Sequence, residues 1–312
     1  MQSTPIKIGV VGATGFVGSH ACVELLSRGH SVIGFSRHPE ALGSHKLYTP
    51  QALDVVSAKI SYLSHAFRGL DVLVNAYGPH ATGPEGLNPL QFIEISRKIV
   101  LAARDAKVNY TIMIGGCGSL NIPGESLETC VDSEEWWIAY RRGMADSPAH
   151  LAYMEERFGP GAAKGLKAYH DARVQAASGK GTAKTQSIIE SQEKDILADQ
   201  AMDFIKACRA TFLFFDGNNS FRWSFLSPPT LFRSGKRTGG YEVVIDKVPL
   251  KGDQNDGTNL TGRLHGIAAS DLAIAIADES EKQSHLGKHW SPYSDISDES
   301  PTSAFVTLEA VR

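Results

Sequence analysis

Gly12, Gly15 and Gly18 recur every third residue between a short β-branched run, Ile6 to Val11, and a helical pattern, Ser19 to Arg28. No other feature constrains the fold of this chain as tightly. The run shows no polar alternation, which predicts a strand buried on both faces, as in a parallel sheet covered by helices. The first glycine tolerates φ > 0 in a tight turn. The second lets main-chain N–H groups come close to a ligand, and the third lets the helix pack closely on the strand. Gly29 stops the helix, and a second run, Ser31 to Phe35, completes a βαβ unit.

The alternation continues downstream. A strand is predicted over 47–53, a helix from Ser57 to Arg68, and a strand from Leu70 to Asn75. Pro89 to Ala106 places Phe92, Ile95, Ile99 and Ala103 on one helical face, and Tyr110 to Ile114 is a fifth strand. This rhythm predicts an α/β fold with a doubly wound, parallel, Rossmann-type sheet. Between 132 and 185 it breaks into a stretch rich in aromatics, glycine and charge, including Trp136, Trp137, Tyr140, Tyr153, Phe158 and Tyr169. This reads as inserted short helices, either a lid or a solvated decoration. A long helix over 183–209 follows, then a strand from Phe221 to Leu226, a short strand over 241–246, a helix over 270–282 and a last strand from Ala304 to Leu308. The expected organisation is a dinucleotide-binding half (1–131), the helical insert (132–185), and the rest of the same domain with a small substrate region (186–312).

Composition narrows the function classes. At 312 residues, 42% hydrophobic and 21% charged, the chain can bury a large core. A net charge of −3 gives no footprint for nucleic acid or an anionic membrane, and no apolar run approaches the roughly 20 residues that span a bilayer. Met1 to Pro5 lacks the pattern of a signal peptide, so a cytoplasmic location is expected. The four cysteines, Cys22, Cys117, Cys130 and Cys208, form no Cys-x-x-Cys pair, so neither a metal site nor a redox dithiol is expected. The expected partner is a small-molecule substrate, with the chain a monomer or homodimer.

The loop Gly12-Ala13-Thr14-Gly15-Phe16-Val17-Gly18 has the form that holds a pyrophosphate against a helix N terminus. Dinucleotide binders selective for NAD place an acid near the end of the second strand, on the ribose 2′-hydroxyl. Here the stretch reads Gly34-Phe35-Ser36-Arg37-His38, with no acid until Glu40. Arg37 can pair with a 2′-phosphate and Ser36 can add a hydroxyl donor, which predicts NADP(H); the alternative is a merely solvated Arg37.

On these residues the chain resembles the atypical short-chain dehydrogenase/reductases with a Gly-x-x-Gly-x-x-Gly loop, and more narrowly their NAD(P)H-binding or NmrA-like branch. Further matches are Asp54-Val55, Asn75-Ala76-Tyr77-Gly78, Gly115-Gly116-Cys117-Gly118-Ser119-Leu120 and Leu226-Ser227-Pro228-Pro229. The likeness covers 6–130 well and 186–310 loosely, and leaves out the insert. It implies that Asp54 and Val55 lie beside the adenine, Asp54 serving equally as a helix N-cap. It places Ala76 to Pro79 along the pyrophosphate and nicotinamide ribose, and Leu226 to Pro229, with Ser227 and Pro228 among them, at the nicotinamide. Asn75, Gly115 and Gly116 are also among the implied cofactor contacts.

In that family a Tyr-x-x-x-Lys pair exchanges a proton with the substrate. No tyrosine here has a lysine four residues on; Tyr153 is followed by Arg157 and Tyr169 by Arg173. Candidate acid–base groups are therefore Ser119, Tyr77, His80, Lys194 and Tyr169 with His170, each with a plain packing or solvated alternative. Trp223, Phe225, Leu231 and Phe232 are candidates to line an apolar pocket. The expected function is an NADP(H)-dependent oxidoreductase acting on a small or medium apolar carbonyl, alcohol or enone. The alternatives are a non-catalytic NADP(H) sensor and a redox-neutral isomerase, dehydratase or cyclase.

Overall fold

The computed structural model describes residues 4–78, 88–124, 128–198, 201–298 and 303–311. The first half runs β1 (Lys7–Val11), α1 (Phe16–Ser27), β2 (Ser31–Ser36), β3 (Tyr48–Ala52), α2 (Ile60–Phe67), β4 (Val72–Asn75), α3 (Pro89–Asp105) and β5 (Tyr110–Ile114). Five helices follow: α4 (Glu134–Ala145), α5 (Pro148–Phe158), α6 (Lys164–Ala177), α7 (Ala183–Ala198) and α8 (Ala201–Phe212). The chain then returns through β6 (Trp223–Leu226), β7 (Leu231–Arg233), β8 (Glu242–Ile245), β9 (Gly266–Ala268), α9 (Ala269–Lys282) and β10 (His289–Tyr293).

Among the described residues the main sheet has the order β3-β2-β1-β4-β5-β6-β10-β8, parallel except for β8. Burial on both faces explains the unbroken apolar runs. Ile8 and Val10 face a core completed by Leu25 of α1 and Ile276 of α9. Val11 and Leu73 face Leu63 and Phe67 of α2 and Ile95 and Ile99 of α3. The order reverses between β1 and β4, and a doubly wound sheet opens its ligand crevice at that point, at the carboxyl ends of its strands. No described helix is long and apolar enough to cross a membrane.

Three sequence expectations are corrected. The predicted strand from Ala304 to Leu308 is absent; this apolar segment packs across α1, where Ala304 N–H donates to Glu156 Oε1 (2.9 Å) and the Ala304 carbonyl meets His20 Nε2 (3.2 Å). The last strand is instead β10, which Pro292 disguises. Pro292 lies past the two residues that pair with β6 and opposes Val243 of β8. The single helix expected over 183–209 is two helices with different neighbours: α7 packs on α6 and α4, and α8 packs on α3.

The close approach of α1 to the end of β1 depends on Gly18. A Cβ there would lie 2.0 Å from the Gly12 carbonyl oxygen and 3.0 Å from Ala13 Cα, both main-chain atoms that cannot swing aside. Gly18→Ala is therefore expected to lower stability by about 1–3 kcal/mol. Urea unfolding measures this, and an unchanged midpoint would show that the loop relaxes without cost.

Candidate functional site

The carboxyl ends of β1 to β6 meet along one edge of the sheet, with the glycine loop at its centre. Gly12 has φ = 79°, donates its N–H to the Phe35 carbonyl (2.8 Å), and would set a Cβ 2.7 Å from the Ala76 carbonyl oxygen. Gly15 N–H donates to the Gly12 carbonyl (2.9 Å), closing the turn. The N terminus of α1 has no side-chain cap and no acid in its first turn. The first-turn N–H groups, from Phe16 onward, therefore lack intrahelical acceptors, and the helix dipole gives this end a partial positive charge. Residues Thr14 to Gly18 thus form a cradle that fits a phosphate group. A side chain at Gly12 or Gly18 would collide with main-chain atoms of Ala76 or Gly12 and displace the loop.

The next two strand ends lie to one side. Ser36 Oγ, at the end of β2, is buried without a hydrogen-bond partner, and Arg37 is exposed beside it. Asp54, after β3, accepts from Ser57 Oγ (2.6 Å) and Val56 N–H (3.0 Å). The Ser57 bond chiefly holds its carboxyl below the usual range, with attraction from Arg37 adding to the effect. Asp54 therefore caps the turn before α2, whose own N-cap is Lys59. Val55 belongs to the core under α2, and Lys98 of α3 fixes its carbonyl (3.2 Å).

On the other side, Asn75 is buried at the end of β4, and its Oδ1 accepts from Tyr77 N–H (3.2 Å). Ala76 N–H joins the end of β1, and Tyr77 stacks on Phe92 of α3 (6.1 Å); Gly78 is exposed. Pro79 and His80 lie outside the described residues. After β5, a Cβ on Gly115 would lie 2.1 Å from the Phe225 ring, and one on Gly116 would lie 3.1 Å from Cys208 Cβ on α8. Ser119 is 2% exposed, and its hydroxyl has no partner.

Two catalytic candidates fall away from this edge. Lys194 is exposed on α7, not on the helix that flanks β5 and β6. That flanking helix is α8, and it brings Phe204 against Phe92 (4.8 Å) and Cys208, four residues later, against Gly116. Neither can replace a Tyr-Lys pair, because burial pushes the Cys208 thiol well up. Tyr169 is fully buried inside the insert, donating its hydroxyl to Glu193 (2.6 Å), while His170 pairs with Asp146 (3.0 Å). Trp223 and Phe225 are likewise committed to the core under α8, whereas Leu231 and Phe232 reach the insert.

The insert supplies what the sequence reading missed. Trp136 Nε1 donates to Thr230 Oγ1 (3.1 Å), anchoring α4 over the end of β6. One turn on, half-buried Tyr140 packs against the core of Leu120, Trp136 and Trp137, as do Cys117, which follows β5, and Leu231, which begins β7. Burial pushes its phenol up, and Arg157 partly offsets this. Its hydroxyl forms no hydrogen bond with any described residue. The available signal was spacing, since Tyr140 lies four residues after Trp136 on an amphipathic helix, but a core aromatic gives the same signal.

Ser227, after β6, is fully buried and shares a hydrogen bond with His289 Nε2 (2.9 Å). Asp246 is 3.7 Å from His289 Nδ1, too far for a hydrogen bond. The trio resembles a nucleophilic triad but has no exposed serine, so Ser227 and neighbouring Pro228 serve as the packed wall of the edge. Burial pushes the His289 and His150 pKa values down to about 3. Both rings therefore bind fewer protons folded than unfolded. Their contribution to stability is complete above the unfolded value of about 6.5 and is lost as pH falls toward about 3. Each is expected to add up to about 1.4 kcal/mol per pH unit to the loss in that window. Urea midpoints between pH 7 and 5 read this, and His289→Gln is expected to reduce the slope by one proton; an unchanged slope would show a charged His289.

Residues 12–153 match the family model described as NAD(P)H-binding. The YwnB protein of Bacillus subtilis is 24% identical over 291 residues, covering 93% of this chain and 99% of YwnB. Among solved structures, a candidate epimerase from Bacteroides thetaiotaomicron has a TM-score of 0.61 at 22% identity, covering 93% and 97% of the two chains. A candidate NADH-flavin reductase from Streptococcus pneumoniae has a TM-score of 0.56 at 18% identity, covering 93% and 100%. At these identities the structural likeness establishes the Rossmann-type fold.

Proposed function

We propose that the protein is an NADP(H)-dependent oxidoreductase of the NmrA-like branch that reduces, or reversibly oxidises, an apolar carbonyl, alcohol or enone. The observation that carries the choice of cofactor is the end of β2. There Ser36 offers a buried, unpartnered hydroxyl beside Arg37, and no carboxylate follows until Glu40. A 2′-phosphate would meet a cation and a donor there, and it would not meet the carboxylate that selects a 2′-hydroxyl. Thr14 to Gly18 would hold the pyrophosphate, and Asp54 and Val55 would border the adenine. Asn75 to Gly78, Gly115, Gly116, Ser227 and Pro228 would line the path to the nicotinamide.

The dinucleotide, when bound, supplies the hydride. The chain must supply the proton, and Tyr140 is the donor we assign, supported by its packing with the loop after β5 and by a hydroxyl unpartnered among the described residues. Tyr140 Oη would give its proton to the substrate oxygen as negative charge develops there, and solvent would return a proton to the phenolate. Burial pushes the Tyr140 phenol up and the Arg157 charge offsets only part of this, so the transfer would be driven by the substrate alkoxide, the stronger base. Cys117 and Leu231, which pack on the same apolar core as Tyr140, make this region apolar, which favours an apolar substrate.

The fold hosts both reductases and redox-neutral enzymes and does not choose between them. NADPH consumption in a screen of apolar aldehydes, ketones and enones tests the reading. Steady consumption supports it. NADPH bound without turnover would favour a sensor, and conversion that survives removal of the dinucleotide would favour a redox-neutral enzyme.

A further inference from the structure

Arg157 stands where the insert meets the glycine loop. It is in the last turn of α5, yet its guanidinium does not reach the carbonyls that end that helix. Instead it crosses to the glycine loop, 5.0 Å from the ring centroid of Phe16, the first residue of α1. Tyr153 Oη accepts from it (2.6 Å), and the rings of Phe158 (5.1 Å) and Tyr153 (5.7 Å) complete an aromatic seat. The insert thus brings a cation onto the side chain of the residue that opens α1, whose uncapped N terminus carries a partial positive charge.

No carboxylate among the described residues balances it. Glu155 pairs with Lys167 (2.7 Å). Glu156 turns to Ser303 Oγ (2.8 Å) and Ala304 N–H (2.9 Å). Two positive features, one from the Rossmann half and one from the insert, therefore converge on the glycine cradle, and an anion between them would satisfy both. A guanidinium can give two parallel hydrogen bonds to a phosphate, and the aromatic seat keeps it oriented.

We propose that Arg157 is a second cationic ligand of the dinucleotide pyrophosphate, delivered across the glycine loop by the insert. This rests on the dinucleotide reading above and deepens it. The insert then becomes part of the cofactor site. The pyrophosphate is common to all nicotinamide dinucleotides, so Arg157 acts on affinity without choosing between NADP(H) and NAD(H).

Calorimetric titration of the full chain and of Arg157→Gln and Arg157→Lys tests this, with NADPH, NADH and adenosine 2′-phosphate as probes. Arg157→Gln is expected to weaken NADPH and NADH by the same factor, about 10- to 30-fold, and to flatten the salt dependence of binding. Adenosine 2′-phosphate, which has no pyrophosphate, should bind equally to both proteins, and Arg157→Lys should recover part of the loss. NADPH affinity unchanged in Arg157→Gln would overturn the inference alone, as would an equal loss for adenosine 2′-phosphate. A wild-type chain that binds no dinucleotide would overturn both the inference and the reading beneath it.

Discussion

Tyr140→Phe is expected to slow NADPH-dependent carbonyl reduction by about 10²- to 10⁴-fold while changing NADPH affinity by less than about twofold. The change removes one oxygen and keeps the ring that packs on Trp136 at 5.4 Å. The hydroxyl forms no hydrogen bond with any described residue, so its loss strands no buried partner and leaves folding nearly unchanged. A proton donor lost from the transition state lowers kcat and kcat/KM together, whereas a lost packing contact would act through stability or KM. Thermal unfolding measured beside the kinetics separates the two. Full activity in Tyr140→Phe would remove this residue from the chemistry.

Arg37→Asp should produce the largest change in cofactor choice. It replaces attraction by repulsion at the proposed 2′-phosphate, with a loss of roughly 2–4 kcal/mol for NADP(H), about 30- to 1,000-fold. Arg37 is exposed, so water and salt screen the interaction and the lower figure applies at physiological ionic strength. The new carboxylate would also stand near Asp54, whose carboxyl Arg37 helps keep ionised. NAD(H) carries a 2′-hydroxyl that an acid can accept from, so its affinity should hold or improve. Equal losses for both cofactors, measured by calorimetry, would show that Arg37 touches no 2′-phosphate.

The Rossmann half was legible because its physics is local. Burial on both faces makes β1, β4 and β5 continuous apolar runs, and the glycine spacing is forced by backbone atoms 2.0–3.1 Å from each missing Cβ. Legibility ended where tertiary placement decides. Apolar periodicity continues across 183–209 although α7 and α8 serve different layers, which set Lys194 on the wrong helix. Tyr169 and Tyr140 both read as insert aromatics, yet one is bound to Glu193 of α7 and the other packs on the core that Cys117, after β5, also joins. Arg157 was visible as a Tyr-x-x-x-Arg spacing. Its approach to Phe16 joins two segments 141 residues apart (157 − 16), a contact that periodicity cannot encode.

The most direct test of the central claim is calorimetric titration of the purified chain with NADPH, NADP⁺, NADH and NAD⁺ under one set of salt conditions. The account predicts that the two phosphorylated forms bind at least about 30-fold more tightly than the other two. Tighter binding of the NAD pair, or no binding by any of the four, would contradict it.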